Sequence, residues 1–383
     1  MTRHPFEPAL LTGLSLLVCI ACGSSDNGAD DSGDRGGATS AGSGGSPAGV
    51  AGNAGLGGMS GTAGSSGGGS GGGNNSTPPG DYAMASTQVG SCALDAAGAI
   101  HCWGNQLGTW VVPSGAFAEL HASNDAVCAI RADHSVTCFD PPAAVSGVAD
   151  MVPSKKVTAL GLQRSTLCAI GEDGATFCNS DDDNMTPPAG EQFANLSVGV
   201  HFACGIRTSD GSILCWGGAG NAGCISNEPA AGQLMAPAGA FVSVSSGFFS
   251  SCAIDRSGNI ACWGAGEASD DPKASCMGSN YNLGQATPPS GTFRSVSVGA
   301  NHACAVKTDG TVACWGAGTQ DSDCTALEDP NCRQSRPPAG TFAQVSVGSL
   351  HSCAMTADRK VKCWGYPGSG MGDGRLTPPA EFQ

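Results

Sequence analysis

Positive charge is scarce in this chain. Seventeen Lys and Arg stand against 32 Asp and Glu, leaving a formal net charge of −15. Such a balance excludes a surface built for nucleic-acid phosphates and disfavours anionic membrane surfaces. Long apolar runs are missing too: the longest, "ALLTGLSLLVCIAC" near the N-terminus, is too short to span a bilayer. No stretch of eleven or more residues keeps a 3.6-residue apolar period, while Gly, Pro, Ser, Thr and Val abound. The folded part is therefore predicted to be nearly all β. No G-x-S-x-G, H-E-x-x-H or phosphate-cradling loop occurs, so no catalytic residue is nominated and no cofactor or metal is expected.

The two ends of the N-terminal region carry different signals. Arg3 and His4 precede the apolar run, which closes on Cys19-Ile20-Ala21-Cys22-Gly23. This resembles a bacterial lipobox, with residues 1–21 as signal peptide and Cys22 as the lipidated residue. Cys19 departs from the Leu usual at that place, and Glu7 weakens the charge of the leader. The expected location is the outer membrane, lipid-anchored and facing outward, with plain secretion as the alternative. Membrane contact is then through the lipid alone. Residues 22–80 hold little beyond Gly, Ser, Ala, Asn and Asp, too little apolar surface to offset backbone ordering. They are expected to be a disordered tether ahead of a folded domain over 81–383.

That domain is repetitive. The pattern C-A-[I/L/V/M]-x-x-x-G-x-[I/V]-x-C-W-G recurs seven times and carries a cysteine at each end of a hairpin. The pairs are Cys92 with Cys102, Cys128 with Cys138, Cys168 with Cys178, Cys204 with Cys215, Cys252 with Cys262, Cys304 with Cys314, and Cys353 with Cys363. "F-x-x-V-S-V-G" strands and "P-P-x-G" turns precede most copies. Folding "CAIDRSGNIAC" as a hairpin sets Cys252 opposite Cys262, with a three-residue loop that ends on Gly258. The last residue of such a loop needs φ > 0, and the same register puts Gly98, His134, Gly174, Gly211, Gly310 and Arg359 there. Opposed strand residues sit about 4.5 Å apart, within reach of a disulfide. Zinc is disfavoured, because structural sites want C-x₂₋₄-C spacing and an exported chain meets an oxidising compartment. With Cys19 and Cys22 set aside, the hairpins leave Cys224, Cys276, Cys324 and Cys332, all in insertions after "CWG" in units four to six. Cys324 is expected to pair with Cys332, and Cys224 with Cys276.

"VSVGANHACAVKTDGTVACWGAG" resembles the repeat of the regulator of chromosome condensation (RCC1) family, and short-repeat bacterial members such as a secreted β-lactamase inhibitor are more similar still. The resemblance covers about 81–383 and implies a seven-bladed β-propeller. It weakens in unit two ("CFD") and unit three ("CNS"). Units that cannot bury a face alone must stack, which leads to the same ring. "P-x-x-F/Y" elements at Pro79–Tyr82 and Pro379–Phe382 suit closure better than an open solenoid. The family's exchange activity and the inhibitor's activity do not carry over, since no contact residues match.

The remaining candidates have plain readings as well as functional ones. His302 and His351 occupy equivalent places, His201 is offset by one, and packing or hydrogen bonding accounts for them better than a metal. Acidic "NSDDDN" at 179–184 reads as a solvated loop rather than a calcium site. The "CWG" tryptophans read as repeat packing, while Trp110 stands outside the motif as a candidate exposed contact. The long insertions carry Asp270, Asp271, Asp321, Asp323, Glu328 and Asp329, an acidic rim. These features point to a monomeric, non-enzymatic binding protein whose rim takes a protein or glycan ligand. Inhibition of a secreted or periplasmic enzyme is the alternative, and an enzyme with a site in the central channel is the less favoured third.

Overall fold

The protein is described by a computed structural model that covers residues 68–69, 72–73, 84–104, 110–123, 126–140, 155–164, 166–180, 185–218, 232–265, 283–319, 332–368 and 374–383. The signal-peptide and lipobox readings, including Cys22, fall outside these residues. Within 22–80 only two short paired strands are described, β1 (Gly68–Gly69) and β2 (Gly72–Gly73).

Seven three-stranded antiparallel sheets follow, each built in chain order from inner to middle to outer strand. Blade one is β3–β5 (Met84–Ser86, Gly90–Leu94, Ile100–Gly104) and blade two is β6–β8 (Glu119–Ala122, Val127–Ile130, Val136–Phe139). Blade three is β9–β11 (Val157–Gln163, Thr166–Gly171, Thr176–Ser180) and blade four is β12–β14 (Phe193–Gly199, Phe202–Arg207, Ile213–Gly217). Blade five is β15–β17 (Phe241–Ser246, Ser250–Asp255, Ile260–Gly264) and blade six is β18–β20 (Phe293–Val298, His302–Lys307, Val312–Gly316). Blade seven is β21–β23 (Gln344–Val347, His351–Met355, Val361–Gly365).

The hairpin register is the predicted one. Cys252 faces Cys262, Ala253 faces Ala261 and Ile254 faces Ile260. All seven expected pairs are disulfide-bonded. Cys92 is joined to Cys102, Cys128 to Cys138, Cys168 to Cys178 and Cys204 to Cys215. Cys252 is joined to Cys262, Cys304 to Cys314 and Cys353 to Cys363. The Cα atoms of each pair lie 4.0 Å apart, a little closer than ideal strand geometry suggested. The two ends of a bridge differ in burial. Every middle-strand cysteine is fully buried, whereas the outer-strand partners Cys102, Cys178, Cys215, Cys262, Cys314 and Cys363 are half-buried and only Cys138 is buried.

The residue that ends each hairpin loop has positive φ, and this includes the two that are not glycine, His134 and Arg359, both at 67°. At Gly98 the demand is double. Its φ is 79°, and a Cβ there would lie 2.6 Å from the carbonyl oxygen of Phe117. The crowding exists because the Phe117 N–H donates to the Gly98 carbonyl, which ties blade two to the loop of blade one. Phe293 and Phe342 bind Gly258 and Gly310 of their preceding blades in the same way.

Cores lie between blades, not within them. One cluster joins Leu94 and Ile100 of blade one to Phe117 and Leu120 of blade two, and similar clusters recur around the ring. Each cystine faces the next blade, while each "CWG" tryptophan faces the previous one. The seventh cluster closes the circle: Met355 and Val361 meet Met84 and Trp103 around Phe382. Phe382, buried in a short 3₁₀ turn (Ala380–Phe382), thus fills at the blade seven–one seam the place taken elsewhere by Phe293 or Phe342. Phe139 replaces the missing tryptophan in blade two, and blade three keeps its three strands with Asn179 at that position. The companion element at Pro79–Tyr82 lies outside the described residues.

Candidate interaction face

The loops that follow "CWG" leave the sheets at the same end as the turns between inner and middle strands, because Gly90 pairs with Gly104 and its equivalents do likewise. Four departures are fixed by the same bond. The N–H groups of Gly218, Ala265, Ala317 and Tyr366 donate to the carbonyls of His201, Phe249, Asn301 and Leu350 at 2.8–2.9 Å. Each loop therefore starts over an inner–middle turn. The interiors of the insertions after blades four to six, with Cys224, Cys276, Cys324, Asp270, Asp271, Asp321, Asp323, Glu328 and Asp329, lie outside the described residues, and so do both of the expected insertion disulfides. Cys332 is described and buried.

Their return points are anchored by residues that sequence reading overlooked. Gln233, Gln285 and Gln334 are buried, and their backbone carbonyls accept the indole N–H of Trp263, Trp315 and Trp364 at 2.9, 2.8 and 2.8 Å. Arg375 does the same for Trp103 at 3.1 Å. The available signal was "G-[Q/R]-x-x-P-P" or its near copies in the segments after blades three to seven. Blade four has Asn184 in that register, outside the described residues, and the Trp216 indole N–H finds no acceptor among the described ones.

Beside these anchors sits a small apolar cluster that belongs to no inter-blade core: Val200 with Phe248 and Phe249. The two rings meet edge to face at 5.9 Å, and the Arg164 guanidinium lies 5.5 Å from the Phe248 centroid. The tandem Phe in "SSGFFSSCA" replaces the Val-His, Ala-Asn and Ser-Leu of neighbouring turns, a difference visible only once the turns are aligned. Trp110 is half-buried rather than free-standing. Its ring packs on Phe139 at 6.4 Å and its N–H donates to the Gly104 carbonyl.

The histidines are structural in their contacts. His302 Nε2 lies 2.8 Å from Ser352 Oγ in blade seven, and His351 Nε2 lies 3.0 Å from Ser91 Oγ in blade one. Burial lowers the pKa of His302 to about 3. Burial, then the Arg375 and His302 charges, lowers that of His351 to about 3 as well. Both rings are neutral clasps between blades. His201 sits apart, in a turn at φ 62°. Among the described residues no group of three or more His, Cys, Asp or Glu could hold a metal ion.

The repeat profile described as "Regulator of chromosome condensation (RCC1) repeat" matches residues 293–320 and 342–370. Two plant receptor-kinase ectodomains share the fold at low identity. The CRINKLY WD40 ectodomain of the Arabidopsis thaliana receptor kinase ACR4 is 19% identical, with 76% of this chain and 94% of that one covered and a TM-score of 0.56. The entire ectodomain of the Physcomitrella patens receptor kinase CR4 is 21% identical over 74% and 72% of the two chains, with a TM-score of 0.54. Prp20p from Saccharomyces cerevisiae aligns at 13% identity over 68% and 76%, with a TM-score of 0.48. Two units match the profile, and five more repeat the same disulfide-stapled, three-stranded plan around one ring: the chain carries RCC1-type repeats at 293–320 and 342–370 and folds as a seven-bladed, RCC1-like β-propeller.

Proposed function

We propose that this propeller is a non-enzymatic binding protein, tethered to the outer membrane through a lipid on Cys22, that grips a protein or glycan with the loops after blades four to six. The observation that carries this reading is the shared anchoring of those loops at one end of the ring, next to Phe248 and Phe249. Anchored loop ends lower the ordering cost of binding, and recognition on repeat scaffolds concentrates in such loops. The aromatic pair supplies an apolar centre for the contact and the acidic insertions a polar surround.

Capture from native outer membranes tests this, with the full chain compared against a chain whose three insertions are shortened to tight turns. A partner retained by the full chain and lost with the loops supports the reading; equal capture by both overturns it. If the captured partner is an enzyme that loses activity on binding, the protein is an inhibitor using the same face.

A further inference from the structure

The outer wall of blade seven carries a groove of about 550 Å³ whose floor is Lys360, Val361, Lys362, Cys363 and Trp364. Five consecutive residues can line one groove only if it runs along the edge of the strand, since successive side chains alternate between faces. That edge belongs to β23, the outermost strand of its sheet, and no further strand pairs with it among the described residues. Pro338, Leu376 and Pro378 add apolar lining, Thr377 and Gln383 complete it, and Arg336, whose Nε donates to the Thr319 carbonyl, adds a third cation.

The sister blades act as internal controls for what packing requires. Lys362 pairs across the hairpin with Ala354. In blades one to six that position is His101, Thr137, Phe177, Leu214, Ala261 and Ala313. Only His101 is ionisable, and it is committed to Asp95 and Glu381. Lys360 likewise corresponds to Ser, Ala, Asn or Thr in the other blades. Blade packing thus asks for no cation at these sites. Yet residues 332–383 hold six of the 17 basic residues of a chain whose net charge is −15. Lys362 is exposed and takes part in no ion pair among the described residues, while the Lys360 ammonium donates to the Gln383 carbonyl.

We propose that this groove docks an extended acidic peptide, which adds as a fourth strand to the free edge of β23. Lys360 and Lys362 are two residues apart, so they meet carboxylates spaced i, i+2 on the added strand. The residues between those acids point the other way, and with Pro338, Leu376 and Pro378 supplying apolar lining the fitting sequence alternates acidic and apolar side chains. Main-chain pairing supplies affinity and the lysines supply selection, the division seen in strand addition generally. This site is independent of the loop face proposed above.

The test uses the full chain and a fluorescein-labelled peptide of alternating Glu and Val, read by fluorescence anisotropy at low salt, with a Lys/Val peptide as counterpart. Saturable binding of the Glu/Val peptide is expected, weakened about tenfold or more by Lys362→Glu. The same charge in blade six, Ala313→Glu, should leave it unchanged. A Glu/Val peptide N-methylated at alternate residues should lose binding, since it cannot complete the ladder. No saturable binding, equal affinity in Lys362→Glu, or undiminished binding of the methylated peptide overturns the proposal. Heparin binding at the same lysines in preference to the peptide overturns the peptide assignment.

Discussion

His302 and His351 show how much a single side chain can be asked to do in a ring. Each bridges to the serine of the next blade, so each is buried where solvent cannot stabilise a positive charge. The unfolded chain takes up a proton near pH 6.5, whereas the folded protein takes it up only near 3. Between those values the unfolded state binds more protons, so stability falls as pH drops from about 6.5 toward 3. The slope is about 1.4 kcal/mol per pH unit for each histidine. Hairpin carboxylates such as Asp255 and Asp309, held below the usual range by hydrogen bonds from Asn259 and Thr311, contribute loss only at lower pH. Urea midpoints at pH 7, 5.5 and 4.5 should therefore flatten in His302→Gln/His351→Gln. An unchanged slope in that variant would rule the histidines out as its source. Their equivalence was legible from spacing, but their serine partners were not, since Ser352 and Ser91 become neighbours only when blades pack.

At the scale of the element, the hairpin was the most readable part of the molecule. Alternation, a positive-φ loop end and opposed cysteines each constrain the same register, and they agree. The inner–middle turns were less readable. They carry no cysteine or special φ common to all copies, so nothing in the sequence singles out Phe248 and Phe249. The Gln anchors escaped for another reason: what they offer is a backbone carbonyl, and its use depends on a tryptophan 30 residues further on. Closing an eleven-residue loop by a cystine contributes roughly 3 kcal/mol in the chain-entropy model. Cys252→Ala/Cys262→Ala should lower stability by about 2–4 kcal/mol in urea denaturation, because Cys252 is also a buried packing group. A loss below about 0.5 kcal/mol would mean that neighbouring blades already hold the hairpin without its bridge.

For the whole molecule, the seam between blades seven and one gathers around one large side chain. Phe382 is 1% exposed and touches His101 and Trp103 of blade one from the far end of the chain. Truncation of a buried Phe costs about 3–5 kcal/mol, and here the loss falls on the seam. Phe382→Ala should show that loss in urea and new protease cleavage near the blade seven–one junction. A variant within about 1 kcal/mol of the parent would show that the seam is held elsewhere. Ring closure itself was foreseeable from the Pro-x-x-Phe element, while the basic groove was not, because its floor and walls come from three separated segments.

The seven cystines each join residues ten or eleven apart and never cross from one blade to another. Each sulfur therefore meets its proper mate within a peptide short enough to close in well under about a microsecond, so the native partner is the one encountered most often whenever oxidant arrives. Oxidation can proceed vectorially, hairpin after hairpin, and these bonds need little isomerase proofreading despite the wealth of thiols.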